Sequence, residues 1–139
     1  MTDNNANTAP AAPVLVEFGV VSRDTRLRDF LVEVFQLDEQ PRIDLPIGQL
    51  YRLTGYGSVL KVFVPREEPV RQQRSAGFLG VDGFRFLTIR VDDLDIVVKQ
   101  ALKHGGSVAQ EPHEPVPGVR IAMIQDPDGN TYEISQRPS

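Results

Sequence analysis

The chain has 139 residues, a formal net charge of -4 and an isoelectric point near 5.1. An acidic chain lacks the clustered lysines and arginines that binding to a phosphate backbone requires, so nucleic acid is excluded as an expected partner. The absence of cysteine excludes disulfide bonds, thiolate metal ligands and a cysteine nucleophile, and it fits a reducing cytoplasm.

Residues 1–13 are rich in Asn, Ala and Pro and have neither the basic start nor the apolar run of a signal peptide. We predict that they form a flexible N-terminal tail, followed by a single domain over residues 14–139. No later segment is apolar for long enough to cross a bilayer. We therefore expect a cytoplasmic protein without a membrane partner.

The first predicted module covers residues 14–65. From Val14 to Val21, apolar side chains recur with a period of two, which predicts a strand with one apolar face. Glu17 points to the other face. Asp24 is the predicted N-cap of a helix, and apolar residues then recur at helical spacing. Two further strands flank Gly55-Tyr56-Gly57, whose glycines permit the positive φ angles of a tight turn.

After a predicted linker at residues 66–83, the same order of elements returns in a second module over residues 84–136. Its first strand leads to Asp93 as N-cap and to a second amphipathic helix, which glycines end. Ser107 to Gln110 is a predicted short strand, and the proline-containing segment Glu111 to Pro115 is a predicted loop. A final hairpin completes the copy.

Two such strand-helix-strand-strand-strand units predict an α+β fold of two βαβββ modules. Each unit alone is too small to bury its sheet well. We expect the helices to cover one side of a curved mixed sheet and the other side to form a cleft, the shape that small-molecule sites favour.

The C-terminal sequence FRFLTIRVDDLDIVVKQALKHGGSVAQEPHEPVPGVRIAMIQDPDGNTYEIS resembles the vicinal oxygen chelate superfamily, which includes glyoxalase I, bleomycin resistance proteins, extradiol dioxygenases and methylmalonyl-CoA epimerases. RVDDLD, the helix ending HGG and GVRIAMIQDPDGNTYEI carry the resemblance together. In the first half, EFGVVSRD and FLVEVFQL are similar to the first strand and helix of that family. The resemblance implies the glyoxalase/bleomycin resistance/dioxygenase fold.

In metal-dependent members of the family, four ligands come from the first and last strands of the two modules. The resemblance places Glu17, Lys61, Phe86 and Glu133 at these four positions. A phenyl ring has no lone pair and a protonated lysine repels a cation, whereas a catalytic metal normally needs at least three protein ligands. We therefore predict no metal or other cofactor, with a divalent metal as the alternative.

The role of Lys61 has two interpretations. Its ammonium could replace the cation by lying between Glu17 and Glu133, in which case Lys61→Met would destabilise the protein. It could equally be a solvated lysine of an edge strand. Glu17 and Glu133 are the candidate catalytic bases, and an ordinary ion pair is the alternative for Glu17.

Other candidate ligand-binding residues share the face of Phe86 or provide an apolar wall. Thr88 and Arg90 lie on that face, where an arginine favours a carboxylate- or phosphate-bearing ligand, and an ion pair is the equally plausible alternative for Arg90. For an aromatic ligand, the expected contact residues are Phe86, Tyr51, Tyr56, Phe63 and Met123.

Two functions fit these patterns. The first is a metal-independent protein, similar to bleomycin resistance proteins, that binds a small organic molecule between the modules. The alternative is an enzyme, a lactoylglutathione lyase-like lyase, an isomerase or a dioxygenase, that uses Glu17 or Glu133 as a base or residual metal ligand. A regulatory domain without catalysis is a third possibility. The resemblance also implies a homodimer.

Overall fold

The computed structural model describes residues 16–72 and 77–138, so the predicted tail at residues 1–13 lies outside the described residues. Part of the predicted linker, residues 73–76, lies outside them as well. In chain order the elements are β1 (Val16–Val21), α1 (Arg26–Phe35), β2 (Asp38–Glu39), β3 (Ile43–Leu45), β4 (Gly48–Gly55), β5 (Ser58–Pro65), β6 (Phe86–Arg90), α2 (Leu94–Lys103), β7 (Ser107–Val116), β8 (Val119–Gln125) and β9 (Thr131–Gln136).

The strands form two mixed sheets with the same strand order. The first sheet has the order β1-β5-β4-β2, with β3 also paired to β4, and the second has the order β6-β9-β8-β7. In each sheet the first strand of the module is parallel to the last, and the other pairs are antiparallel. The predicted α+β fold of two βαβββ modules is therefore confirmed.

Both helices are amphipathic and bury one apolar stripe. In α2 the Asp93 side chain accepts a hydrogen bond from the Ile96 backbone N–H at 3.2 Å, as expected of an N-cap. In α1 the N-cap position belongs to Thr25, whose side chain makes no capping bond, so the predicted N-cap was misplaced by one residue. Asp24 nevertheless accepts from the Arg26 backbone N–H at 3.0 Å.

One hydrophobic core serves both modules. It combines the buried stripes of α1 and α2 with alternate residues of both sheets, including Tyr51, Leu53, Leu60 and Val62 from the first sheet and Ile89, Ala122, Ile124, Tyr132 and Ile134 from the second. Phe30 and Phe35 of α1 reach across the module boundary to Tyr132, with ring centroids 6.3 and 5.7 Å away. The two helix-covered faces therefore share this core, and we call the opposite side of each sheet its outer face.

Two predicted segments differ in detail. In the first hairpin the positive φ angles belong to Tyr56 and Gly57, at 53° and 70°, rather than to Gly55. The predicted loop Glu111 to Pro115 is part of the ten-residue strand β7. Prolines fit there because β7 is an edge strand, and its register shifts three times along β8.

The turn between β8 and β9 is organised around Asp126, a buried carboxylate. It accepts hydrogen bonds from the backbone N–H groups of Asp128 and Asn130 and from the side chains of Asn130 and Tyr132, at 2.7 to 3.0 Å. From this turn Asp128 accepts a 2.6 Å bond from the hydroxyl of Ser22, at the end of β1. The turn therefore also ties the second module to the first.

Within the ranges that the structure describes, neither helix is long and apolar enough to cross a membrane.

Candidate functional site

The predicted site residues lie on the outer faces of the two sheets. On the first sheet, the register puts Glu17 beside Val59 and Gly19 beside Lys61, so Glu17 and Lys61 are diagonal neighbours. On the second sheet, the alternating residues of β6 share a face with two residues of β9 and β8. These five are Phe86, Thr88, Arg90, Glu133 and Met123.

Lys61 pairs with one of the two predicted carboxylates. Its ammonium nitrogen lies 3.7 Å from a Glu17 oxygen, and the two side chains are 37% and 47% exposed. In the described ranges no ion pair within 4 Å joins Lys61 to Glu133, so the predicted bridge between both carboxylates is wrong. The reason is the packing of the modules. The two sheets share a core on their helix-covered faces, and the outer face of each sheet lies on the side away from that core.

This geometry makes the destabilisation expected of Lys61→Met small. A solvent-exposed ion pair contributes roughly 0 to 1 kcal/mol, so the substitution should lower the free energy of unfolding by less than about 1 kcal/mol. Urea denaturation of Lys61→Met, Glu17→Gln and the double variant measures the coupling between the two side chains. A coupling of several kcal/mol would show that the pair is shielded from water and would contradict the surface assignment.

Glu133 is oriented by a neighbour that the sequence did not assign to it. The Thr88 hydroxyl donates a 2.8 Å hydrogen bond to a Glu133 carboxylate oxygen, and the two residues are direct partners across β6 and β9. Phe86 lies two residues along β6, beside Thr131. Met123 lies on β8, where it is the direct partner of Glu133 on β9, and its side chain is buried on the outer face of the sheet.

The four family ligand positions do not fit a divalent metal ion. Phe86 offers no donor atom, Lys61 is paired with Glu17, and Glu133 already accepts from Thr88. Across residues 16–72 and 77–138, no three His, Cys, Asp or Glu side chains come together in a group that could hold a metal ion. Three protein ligands are the usual minimum for a catalytic metal site.

Two adjoining cavities run between the first strands of the modules, β1 and β6, and together we call them the module seam. The larger has a volume of about 290 Å³, and the smaller about 70 Å³. They share Phe18, Leu60 and Leu87 as lining residues. The larger also reaches Tyr56, Thr88 and Arg90, and the smaller reaches Phe84, Phe86 and Tyr132.

The structure thus brings three predicted site residues, Phe86, Thr88 and Arg90, to the seam. Sequence reasoning missed Phe18 and Phe84, because alternation assigned them only to an apolar strand face. The usable signal was that each lies in or just before the first strand of a module, which becomes a sheet edge.

Two of the aromatic residues expected to contact a ligand have other surroundings. Tyr51 is buried in the core, with the Arg28 guanidinium carbon 4.9 Å from its ring centroid. Its hydroxyl donates to the Gln49 side-chain oxygen at 2.9 Å. Phe63 is paired with Val21 on the outer face of the first sheet. Tyr51 therefore has a structural environment, whereas Tyr56 lines the seam.

Burial and charge act on Tyr56 together. Partial burial and the nearby carboxylate of Asp92 raise the pKa of the Tyr56 hydroxyl above its ordinary value, with burial as the larger cause. Its phenol is therefore neutral at physiological pH, and it offers the seam a hydrogen-bond donor rather than a charge.

Sequence comparison adds a curated relative and a family model. The chain is 31% identical over 118 residues to the lactoylglutathione lyase GLX1 of Arabidopsis thaliana. The match covers 81% of this chain but 40% of that protein, so the chain spans about two fifths of the relative's length. Residues 20–134 match the model of the Glyoxalase/Bleomycin resistance protein/Dioxygenase superfamily.

Solved structures share the fold at low sequence identity. A glyoxalase family protein from Bacillus cereus has a TM-score of 0.78 at 13% identity, with 94% of this chain and 100% of that one covered. TnmS3, an antibiotic binding protein from Streptomyces, has a TM-score of 0.66 at 24% identity, with 93% and 99% covered. A glyoxalase I mutant from Zea mays has a TM-score of 0.72 at 22% identity, with 90% of this chain and 46% of that one covered.

Because the family model matches residues 20–134, which include most of both modules, the chain belongs to the Glyoxalase/Bleomycin resistance protein/Dioxygenase superfamily.

Proposed function

We propose that the chain binds a small organic molecule in the module seam and that it does so without a metal ion. The observation that carries this proposal is the seam itself, a pair of cavities with aromatic and aliphatic walls from both modules and a few polar groups. Sites for small organic molecules usually combine an apolar lining with few orienting polar side chains. The antibiotic-binding relative TnmS3 is consistent with such a role.

Metal independence is supported by the chemistry of the outer faces. Glu17 has the Lys61 ammonium as its counterion, and Glu133 has the Thr88 hydroxyl as a hydrogen-bond donor, so each carboxylate has a partner without a metal ion. Phe86 adds an apolar wall at a position where a metal site would need a donor atom.

Elemental analysis tests the metal part of the proposal. The protein is expressed in medium with zinc, iron, nickel and manganese and purified without a chelator. We expect much less than one metal ion per chain, and Glu133→Gln should leave that content unchanged. A stoichiometric metal that is lost in Glu133→Gln would overturn metal independence.

The second candidate function is a lyase, which the similarity to a lactoylglutathione lyase favours. Glu133 would then be the base, because the Thr88 hydroxyl fixes its orientation on a half-buried strand. Conversion of the glutathione hemithioacetal of a 2-oxoaldehyde to S-lactoylglutathione, a proton transfer without a leaving group, would favour this function over simple binding if it is abolished in Glu133→Gln but retained in Glu17→Gln.

We also propose that the chain forms a homodimer through its first module. Large apolar side chains of that module, Val21, Leu45 and Ile47, are exposed outside the seam, as is common at protein interfaces. Light scattering coupled to size-exclusion chromatography measures the mass of the particle. A mass of a single chain, 15.5 kDa, at high protein concentration would contradict the dimer.

A further inference from the structure

We infer that the seam selects an elongated organic anion, with an aromatic body near Phe84 and Phe86 and a carboxylate at Arg90. This inference rests on the proposed small-molecule function and names the class of ligand. It follows from the unequal chemistry of the two ends of the seam, from the state of Arg90 and from the distance between the ends.

One end of the seam is aromatic. The rings of Phe18 and Phe84 meet edge to face with centroids 6.4 Å apart, and those of Phe86 and Phe78 do so at 6.2 Å. Phe84 is 96% exposed, although it lines the smaller cavity. An aromatic ligand would cover ring surface that water now contacts, which is favourable for each ring that it reaches.

The other end presents a cation without a counterion. Arg90 is exposed and lines the larger cavity, and within the described ranges its guanidinium has neither a carboxylate within 4 Å nor a hydrogen-bond acceptor. Five other arginines of the described chain do have a carboxylate within 4 Å: Arg23, Arg26, Arg28, Arg42 and Arg120. In the same ranges Arg66 lacks one as Arg90 does, but it lies outside the seam. The planar guanidinium matches a carboxylate with two parallel hydrogen bonds.

The length of the ligand follows from the strand. Phe86 and Arg90 are four residues apart on β6 and point to the same face. At the rise of an extended strand, their Cα atoms are separated by about 13 Å. A phenyl ring joined to a carboxylate by a chain of five methylene groups has a comparable extended length, so 6-phenylhexanoate is a suitable probe.

Isothermal titration calorimetry with 6-phenylhexanoate and with the neutral 6-phenyl-1-hexanol tests the charge preference. We expect the carboxylate to bind roughly tenfold more tightly than the alcohol, the effect of one charge-assisted contact. Arg90→Gln should remove this preference, and so should 1 M salt, because an exposed ion pair is screened. Arg66→Gln removes an exposed arginine outside the seam and should retain the preference.

A second pair of variants tests where the probes bind, independently of the preference for a charged probe. Phe84→Ala should weaken both probes by a similar factor, and Leu79→Ala, which truncates an exposed apolar residue that does not line the seam, should weaken neither. Circular dichroism checks that each variant is folded.

The outcomes distinguish the inference from the function on which it rests. In one outcome, Phe84→Ala weakens the binding of both probes, but wild type and Arg90→Gln each bind the two probes equally well. This outcome would overturn anion selection and keep the seam as the site. Indifference of both probes to Phe84→Ala would overturn the seam as their site. Probe binding that is lost as the protein dimerises would assign the seam to a second copy of the chain and also overturn the inference.

Discussion

Phe30→Ala is expected to lower the free energy of unfolding by about 4 kcal/mol, within the range measured for buried phenylalanines. Phe30 is 1% exposed, and its ring lies near those of Phe35 and Tyr132, so truncation leaves a cavity where α1 meets the second sheet. A domain of this size has a total stability of roughly 5 to 15 kcal/mol, so the loss is a large share of it.

Chemical denaturation monitored by circular dichroism measures this loss. Phe84→Ala is the matched control, since the same truncation at a 96% exposed ring should change the stability by less than about 0.5 kcal/mol. Equal effects of the two substitutions would contradict the placement of Phe30 in a core that both modules share.

The second large effect is expected at Asp126. Asp126→Ala removes a buried acceptor of four hydrogen bonds in and beside a half-buried turn, and we expect a loss of roughly 3 kcal/mol. Asp128→Ala removes the bond from Ser22 in a less buried setting and should cost less. A loss of under 0.5 kcal/mol in Asp126→Ala would mean that this carboxylate does not organise the turn.

The effect of Asp126 also depends on pH. Burial raises the pKa of Asp126 above its ordinary value of 3.8, against the opposing hydrogen bonds from Tyr132 and Asn130. The folded chain therefore holds this proton more tightly than the unfolded chain, and the stability that the proton contributes is lost as the pH rises through the folded pKa.

Asp126→Asn cannot titrate at this position and gives the comparison. Its stability relative to wild type should improve as the pH rises from the ordinary aspartate pKa of 3.8 through the raised pKa of the folded chain, because wild type loses the contribution of the protonated carboxyl over that interval. Urea denaturation at several pH values measures the difference. A relative stability of Asp126→Asn that falls with pH would show that the folded pKa is lowered instead.

The fold could be predicted from the sequence because each helix and strand has a local pattern of apolar residues. Period-two alternation predicted the strands, and the apolar stripes of both helices correspond to the residues that they bury. The repeated order of elements then predicted two modules, which the strand order of the sheets confirms. Strand β7 was predicted too short, because proline is a poor guide where an edge strand tolerates it.

The candidate site was harder to predict because it depends on how the modules pack. Alternation correctly placed Phe86, Thr88 and Arg90 on one face of β6, but the pairing of Thr88 with Glu133 follows from strand register. The seam follows from the approach of β1 to β6, for which the sequence has no local signal.

The separation of the outer faces has the same origin. Lys61 and Glu133 occupy equivalent places on the last strands of two similar modules, and an interpretation by module alone puts them in one cleft with Glu17. The shared core turns the helix-covered faces toward each other, and this leaves Lys61 near one of the two carboxylates. The chemistry of each position could be read from the sequence, whereas its neighbours could not.

Metal-free binding in the seam is tested by a chemical-shift titration of ¹⁵N-labelled protein with small organic molecules in the presence of a metal chelator. We predict saturable shifts that concentrate on β1 and β6, around Phe18, Phe86 and Arg90, without any added metal. Shifts confined to the outer faces around Glu17 and Lys61, or binding that requires added zinc or nickel, would contradict it.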